Sequence, residues 1–500
     1  MKTKVFGSLL LMEALFMLLA CCVSAYYCYT EGEKDFWPLF VPALLTAAVG
    51  GGLYTYAARC KHITRQVLSR KDSFLVVALV WVIFSVFGML PFLLYGTTNN
   101  LATAYFETMS GFTSTGATAL TNIDEQPHGI LFWRQLTQWL GGLGIVVFSF
   151  ALIPIYELKN ANMFSAEVTG LSVDKLHPRI GDTARRLLLI YVILTCVCGF
   201  FYALGPMNVF DAICHAMTTI ATGGFSTHQD SISYWQSPYI EYVCSMFMFV
   251  GSVNFSLYYF ASTGRTKVFF KNEELQWFTI YVLLALVLFC SLSYACTYMP
   301  ALRGASNSLP TGLEETFRSS LFHVMSITSS TGYQATHYNY VAWGAPFWMP
   351  TLILMFVGAC AGSTGGGVKM IRIAVCVKDV VNQFRAMLHP HAVIPLRLSG
   401  KVLPPGKVKS ALSFMFLYML LLVMGCTILT SMGWDTDTAL GSSLSCLSNI
   451  GPGTGHTGPA GTYALMSDAA KLMLSFFMLV GRLEFYTILF LFMPEFWRMK

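Results

Sequence analysis

The sequence predicts an all-α polytopic membrane protein with two N-terminal helices and four pseudo-symmetric helix–pore-loop–helix units around one pore. Three observations carry that reading. Of 500 residues, 55% are hydrophobic and only 11% charged. Apolar runs of about 20 residues, the length that crosses a hydrocarbon core, recur along the chain. A small glycine-centred string then appears four times: Ser114-Thr115-Gly116, Ala221-Thr222-Gly223, Ser330-Thr331-Gly332 and Asn449-Ile450-Gly451. Its glycines lie 107, 109 and 119 residues apart. Lipid offers no partner to open backbone, so the apolar runs are read as helices.

In chain order, Lys2 and Lys4 precede an apolar run ending Leu18-Leu19-Ala20-Cys21, which imitates a cleaved signal. The run continues to Tyr26 and a second span (36–58) follows at once, so it is read as a retained helix in a hairpin, residues 1–68. Four units follow, at 69–175, 176–268, 269–400 and 401–500. Each is a span, a short segment, the glycine turn and a second span. The spans run 74–95 and 131–155, 187–204 and 239–260, 277–299 and 347–377, 412–431 and 471–493. The short segments, 102–113, 209–221, 314–328 and 438–448, fall well below crossing length and read as re-entrant helices. Such internal repetition is itself an architectural signal. Of fourteen cysteines most lie in apolar spans, with no metal-ligand spacing, and read as small buried residues.

Charge placement orients the chain. Lys61, Arg65, Arg70 and Lys71 share one loop, Lys175, Arg179 and Arg185 another, and 369–409 holds eight Lys/Arg. No Lys or Arg lies between Gly96 and Ile130, or between Gly205 and Glu241, where the first two strings sit. The positive-inside rule puts the basic loops and both termini in the cytoplasm and the strings outside, in a multi-pass cytoplasmic (inner) membrane protein. The scattered basic residues do not form a nucleic-acid surface.

The strings suit a cation filter. A dehydrating cation needs a ring of oxygens, and backbone carbonyls supply one without fixed charge. Pointing successive carbonyls inward demands φ/ψ that glycine tolerates at Gly116, Gly223, Gly332 and Gly451. Ser114/Thr115, Ala221/Thr222, Ser330/Thr331 and Asn449/Ile450 are the expected carbonyl donors. Each re-entrant helix aims a partially negative C-terminus at the cavity below. Asp124, Glu125, Asp230 and Asp435 would concentrate cations outside. A single copy would read as mere helix packing; four copies in one position favour a pore, with K+ as the transported ion and no cofactor on this chain.

The strings GFTSTGAT, TGGFSTH, TSSTGY and NIGPGTG, with Asn254-Phe255 and Gly481-Arg482-Leu483-Glu484, resemble the TrkH/KtrB branch of the Trk/Ktr/HKT potassium transporters over nearly the whole chain. The extra first hairpin is typical of TrkH-like members. The resemblance implies potassium preference from four leading glycines. It also implies a homodimer with one pore per subunit, in lipid, on a cytosolic ring of nucleotide-binding regulatory (TrkA-like) subunits. Loops 159–186 and 369–409 are the expected docking surface. Pro452 and Tyr333 break the fourfold pattern.

Gly358, Gly362, Gly365, Gly366 and Gly367 interrupt the second span of unit three, at a helical cost of roughly 1 kcal/mol each. Non-helical backbone at membrane depth is tolerated only within protein or against water, which places this segment across the pore. GSTGGGVK fails as a nucleotide loop, because Val368 separates glycine from lysine and Met370 replaces Ser/Thr. The resemblance makes Gly362, Ser363, Thr364, Gly365, Gly366, Gly367 and Lys369 an intramembrane gating loop. Arg482, in an apolar helix, costs about 2.5–3.5 kcal/mol on insertion scales. Two residues from Glu484 it faces another side, so that pair is poor and a pore-facing barrier is the better reading. Glu107, His215 and His323 read as hydrogen-bonding groups behind the filter. Glu273 and Glu274 read as helix-start acids, and His389-Pro390-His391 as plain loop. The alternatives are a sodium or mixed monovalent-cation transporter and, from another class, a membrane-embedded enzyme. No nucleophile elbow, acid/base pair or metal cluster supports the enzyme.

Overall fold

The computed structural model describes residues 2–59, 70–151, 180–298, 310, 312–335 and 345–498. Among the described residues six helices are each long and apolar enough to cross a membrane: Lys2–Thr30, Phe36–Arg59, Phe74–Tyr95, Ala184–Ala203, Glu273–Thr297 and Pro405–Ser431. Leu15, Leu44, Leu284, Val287, Phe416 and Val423 on these helices are well exposed. Bare apolar side chains on that scale need lipid rather than water against them.

The first two helices pair closely. A Cβ on Gly7 would lie 2.7 Å from the Gly50 carbonyl oxygen, a small-residue contact that lets the backbones meet. The first helix also leans on Arg70–Gly88 and on His128–Ala151, fixing the hairpin to unit one.

The four short helices are Leu101–Phe112, Val209–Ile220, Leu313–Thr328 and Thr436–Ser448. Asn100, Asn208 and Asp435 cap three of them, accepting from the Thr103, Asp211 and Thr438 amides. The third begins at Gly312, whose amide donates to Glu315. The C-terminal ends of all four helices are wholly buried, unlike the spans around them.

The second spans depart from expectation. Unit one's, His128–Ala151, is continuous. Unit two's breaks into Pro238–Ser252 and Phe255–Ser262, bent by 89°. Unit four's breaks into Asp468–Arg482 and Tyr486–Phe492, bent by 114°. The uninterrupted spans expected at 239–260 and 471–493 are therefore corrected. Apolar runs do not advertise these bends; Asn254, which caps a restarted helix, and Glu484-Phe485, both left-handed, make them. In unit three Ala345–Phe356 stops, residues 357–369 are non-helical, and Met370–Leu388 resumes.

Beyond that last helix, Arg397–Leu398 pairs antiparallel with Lys401–Val402. Ser399 and Gly400 turn it with φ of 49° and 77°, the two positive values a tight hairpin wants. The cysteines in the described residues are free, but Cys22 and Cys196 are exposed on outward faces, correcting the expectation of uniform burial.

Candidate functional site

Four turns meet at the centre. The short helices deliver Ser114, Thr222, Ser330 and Asn449 in left-handed conformation, with φ of 51°, 50°, 58° and 53°. Two residues on stand Gly116, Gly224, Gly332 and Gly451, with φ of 83°, 80°, 77° and 106°. The residue between donates its amide five positions back each time: Thr115 to Ser110, Gly223 to Thr218, Thr331 to Ser326 and Ile450 to Ser445. Unit two is thereby shifted by one from the sequence reading. Gly224, not Gly223, is the equivalent glycine; Thr222 and Gly223 match Ser114 and Thr115, and Ala221 precedes the turn. The spacing becomes 108, 108 and 119. In Thr-Gly-Gly either glycine satisfies the pattern, and only the backbone decides.

The turns close a ring. A Cβ on Gly116 would lie 2.0 Å from the Gly223 carbonyl oxygen, and one on Gly224 would lie 1.9 Å from that of Thr331. One on Gly332 would lie 2.0 Å from that of Ile450, and one on Gly451 2.8 Å from that of Thr115. Each glycine thus leaves room for the next unit's carbonyl, and a left-handed φ would cost any other residue about 1–2 kcal/mol. A cavity of about 130 Å³ touches all four glycines, with Thr118, Arg134, Ser226, His228 and Pro452 among its lining.

Buried polar groups brace the ring from behind. Glu107 accepts from Arg134 at 2.8 Å and from the Ala119 amide at 2.9 Å. The same guanidinium donates to the Ser226 carbonyl and the Thr118 hydroxyl and lies 3.6 Å over the Phe225 ring, joining turns one and two. Gln138 donates to the Gly223 carbonyl at 2.7 Å and accepts from the Phe225 amide at 3.0 Å. His215 bonds the Asp211 carbonyl and the Ser226 hydroxyl, and His323 bonds Thr351. Tyr333 turns away from the axis to bond Thr218 and Thr219 of unit two, while Pro452 packs on Gly332. Arg134 and Gln138 escaped sequence reasoning, although an arginine in an apolar helix was the available signal.

Beneath the ring lies the glycine-rich segment. Ser363, Thr364, Gly365, Gly366 and Lys369 are buried. Thr364 donates to the Ile220 and Gly251 carbonyls, Gly366 donates to the Ser330 hydroxyl at 2.5 Å, and Lys369 donates to the Gly365 carbonyl. A Cβ on Gly366 would lie 2.0 Å from the Ser448 carbonyl oxygen, so the segment touches units two, three and four. Gly362 and Gly367 turn with φ of 72° each. Arg482 completes the floor, donating to the Thr364 carbonyl at 2.7 Å, the Ser114 hydroxyl at 3.1 Å and the Gly141 carbonyl at 3.3 Å. Glu484 pairs instead with Arg372 at 2.5 Å.

On the glycine-cavity side, His228 stacks on Tyr234 with ring centroids 3.6 Å apart and bridges Asp124 (3.0 Å) and Asp211 (3.3 Å). Burial pulls its pKa down, but bonds to Asp211 and Asp124 outweigh that and hold it above the ordinary imidazole value. Glu31, Glu33 and His128 meet nearby across 95 residues of sequence, a grouping no local pattern reveals. Glu33 pairs with the His128 ring and takes its amide, pinning the hairpin to unit one.

The profile of the TrkH family, described as cation transport protein, matches residues 44–499. The Trk system potassium uptake protein TrkH of Salmonella typhimurium is 36% identical over 99% of both chains. The Escherichia coli K12 protein of that name is 37% identical over 86% of this chain and 87% of its own. The crystal structure of the potassium transporter TrkH from Vibrio parahaemolyticus superposes with a TM-score of 0.86 at 31% identity, covering 99% of each chain.

Proposed function

The chain belongs to the TrkH family of cation transport proteins, and from that premise we propose that it takes up potassium through the ring of four glycine turns. The observation that carries the reading is the cavity touching Gly116, Gly224, Gly332 and Gly451 at once, above a floor closed by 358–368 and Arg482. A dehydrated monovalent cation at that level would meet main-chain oxygens of residues 114–116, 222–224, 330–332 and 449–451. Four short-helix C-termini converge just below and favour positive charge there. The buried segment and the arginine form the barrier: one fills the path with backbone, the other sets a fixed cation in it.

The basic loops face the cytoplasm and the glycine cavity faces outside. The relatives are named as parts of a Trk system, and we place the docking surface for cytosolic nucleotide-binding subunits on 369–409, with a second copy of the chain completing a dimer. The other expected docking loop, 159–186, lies largely outside the described residues. Expression in a strain lacking potassium uptake, with rubidium and sodium uptake measured side by side, tests the reading. Growth at low potassium and preferential rubidium uptake are expected; equal or greater sodium uptake, or no rescue by a well-expressed chain, would overturn it.

A further inference from the structure

Two adjacent carboxylates at the start of Glu273–Tyr298 hold two different things. Glu274 is 4% exposed and accepts from the Ala361 amide at 2.6 Å, inside the buried glycine-rich segment. Its charge also faces Lys369 and Arg372, which follow that segment. Glu273 points to the other side. It accepts from the Ser399 amide at the tip of the small hairpin at 2.5 Å and pairs with Lys378. Lys378 in turn donates to the Arg397 carbonyl at 2.9 Å. The hairpin is closed on itself at its base, where the Leu403 amide donates to the Leu396 carbonyl.

We infer that Glu273 and Glu274 form a mechanical link between the hairpin 397–402 and the glycine-rich segment, so that displacing the hairpin unseats Ala361 and opens the floor. The physical case is one of adjacency on a rigid element. Neighbours on a helix point about 100° apart, which lets one turn of helix grip the hairpin with one side chain and the segment with the other. Hydrogen bonds to a buried carboxylate are among the strong ones, and leaving the buried Ala361 amide without its acceptor is costly. The Cys360 amide is held by the Ser252 carbonyl, and the Gly362 carbonyl by the Phe255 amide. Glu274 therefore acts between those two anchors, where a side chain from a different helix holds the backbone. Both glutamates are positioning residues; neither touches the ion path.

The inference rests on reading 358–368 as the gate, and the test separates the two. Cys360 is buried on the segment, and its labelling by a small thiol reagent, followed at that residue by mass spectrometry, reports seating without any ion flux. Detergent-purified full-length protein is labelled as wild type, Glu274→Ala, Glu274→Gln and Glu273→Ala. Labelling is expected to rise by about tenfold in Glu274→Ala, the scale of a lost charged hydrogen bond, and to stay near wild type in Glu274→Gln, which keeps an acceptor oxygen. The discriminating result is Glu273→Ala, whose side chain meets the hairpin, Lys378 and Trp277 but not the segment, yet is expected to raise Cys360 labelling by a comparable factor. Wild-type labelling in Glu273→Ala, with an unchanged melting temperature, would overturn the link. Rubidium flux in proteoliposomes is then read separately: released labelling without increased flux keeps the link and refutes the gate.

Discussion

His228 is a single side chain expected to set the pH response of the glycine-lined cavity. Its raised pKa means the folded chain binds this proton more tightly than the unfolded chain does. Its stabilising contribution is complete below the ordinary imidazole value and is lost as pH rises through the raised one. The same proton places a cation beside Asp124, Asp211 and Asp230 at the cavity where potassium would gather. Rubidium uptake is expected to fall about two- to fivefold as external pH drops through that window, the scale of a partly screened charge a few ångströms away. His228→Gln should flatten the profile, and an unaltered profile in that variant would remove the role. Arg482 gives a different case, a charge that acts by position. Its guanidinium ties Thr364 to Ser114, so Arg482→Ala is expected to lose both the proposed barrier and the seat of the segment. Rubidium flux should rise about tenfold or more, the equivalent of a lost charged hydrogen bond. Flux at the wild-type level with normal expression counts against a barrier there.

At the scale of elements, hydrophobic length and repetition made the spans and short helices legible, because both depend on local composition. The short-helix ends at 112, 220, 328 and 448 fall within a residue of expectation. The bends at Asn254 and Glu484 were hidden, since an apolar run reads alike whether it crosses straight or turns beneath a cavity. The register of turn two was hidden for a subtler reason. Gly223 and Gly224 are interchangeable in composition but not in φ, and only the folded backbone and its contacts separate them. Arg134, Gln138 and Glu274 each reach a partner 85 to 92 residues away, beyond any local pattern. The glycine-rich segment was visible as a break, while its purpose lies in what it touches. Gly366→Ala is expected to press a methyl into the Ser448 carbonyl and lift the segment from its seat. Resting rubidium uptake should then increase with the Rb+/Na+ ratio unchanged. A loss of selectivity instead would mean that the segment shapes the ring rather than closing it.

Across the whole molecule the fourfold arrangement has a consequence that no single unit carries. Each glycine is filled by the next unit's carbonyl, from turn one through turn four and back to one, so the ring has no free edge. Gly116 and Gly332 sit in opposite turns; a Cβ on one would press on the Gly223 carbonyl and a Cβ on the other on that of Ile450. For sites so separated, independent effects normally add to within about 0.5 kcal/mol. A carbonyl cage behaves otherwise, because a cation is held only while all sides are in place. Gly116→Ala alone is expected to lose most of the discrimination between rubidium and sodium, and Gly332→Ala alone to do the same. The double variant should lose little more than either. Uptake ratios measured on the two singles and the double decide the matter. A double variant whose loss equals the product of the two single losses would mean that the turns act as separate sites. Saturation at the level of one substitution is what a closed ring requires.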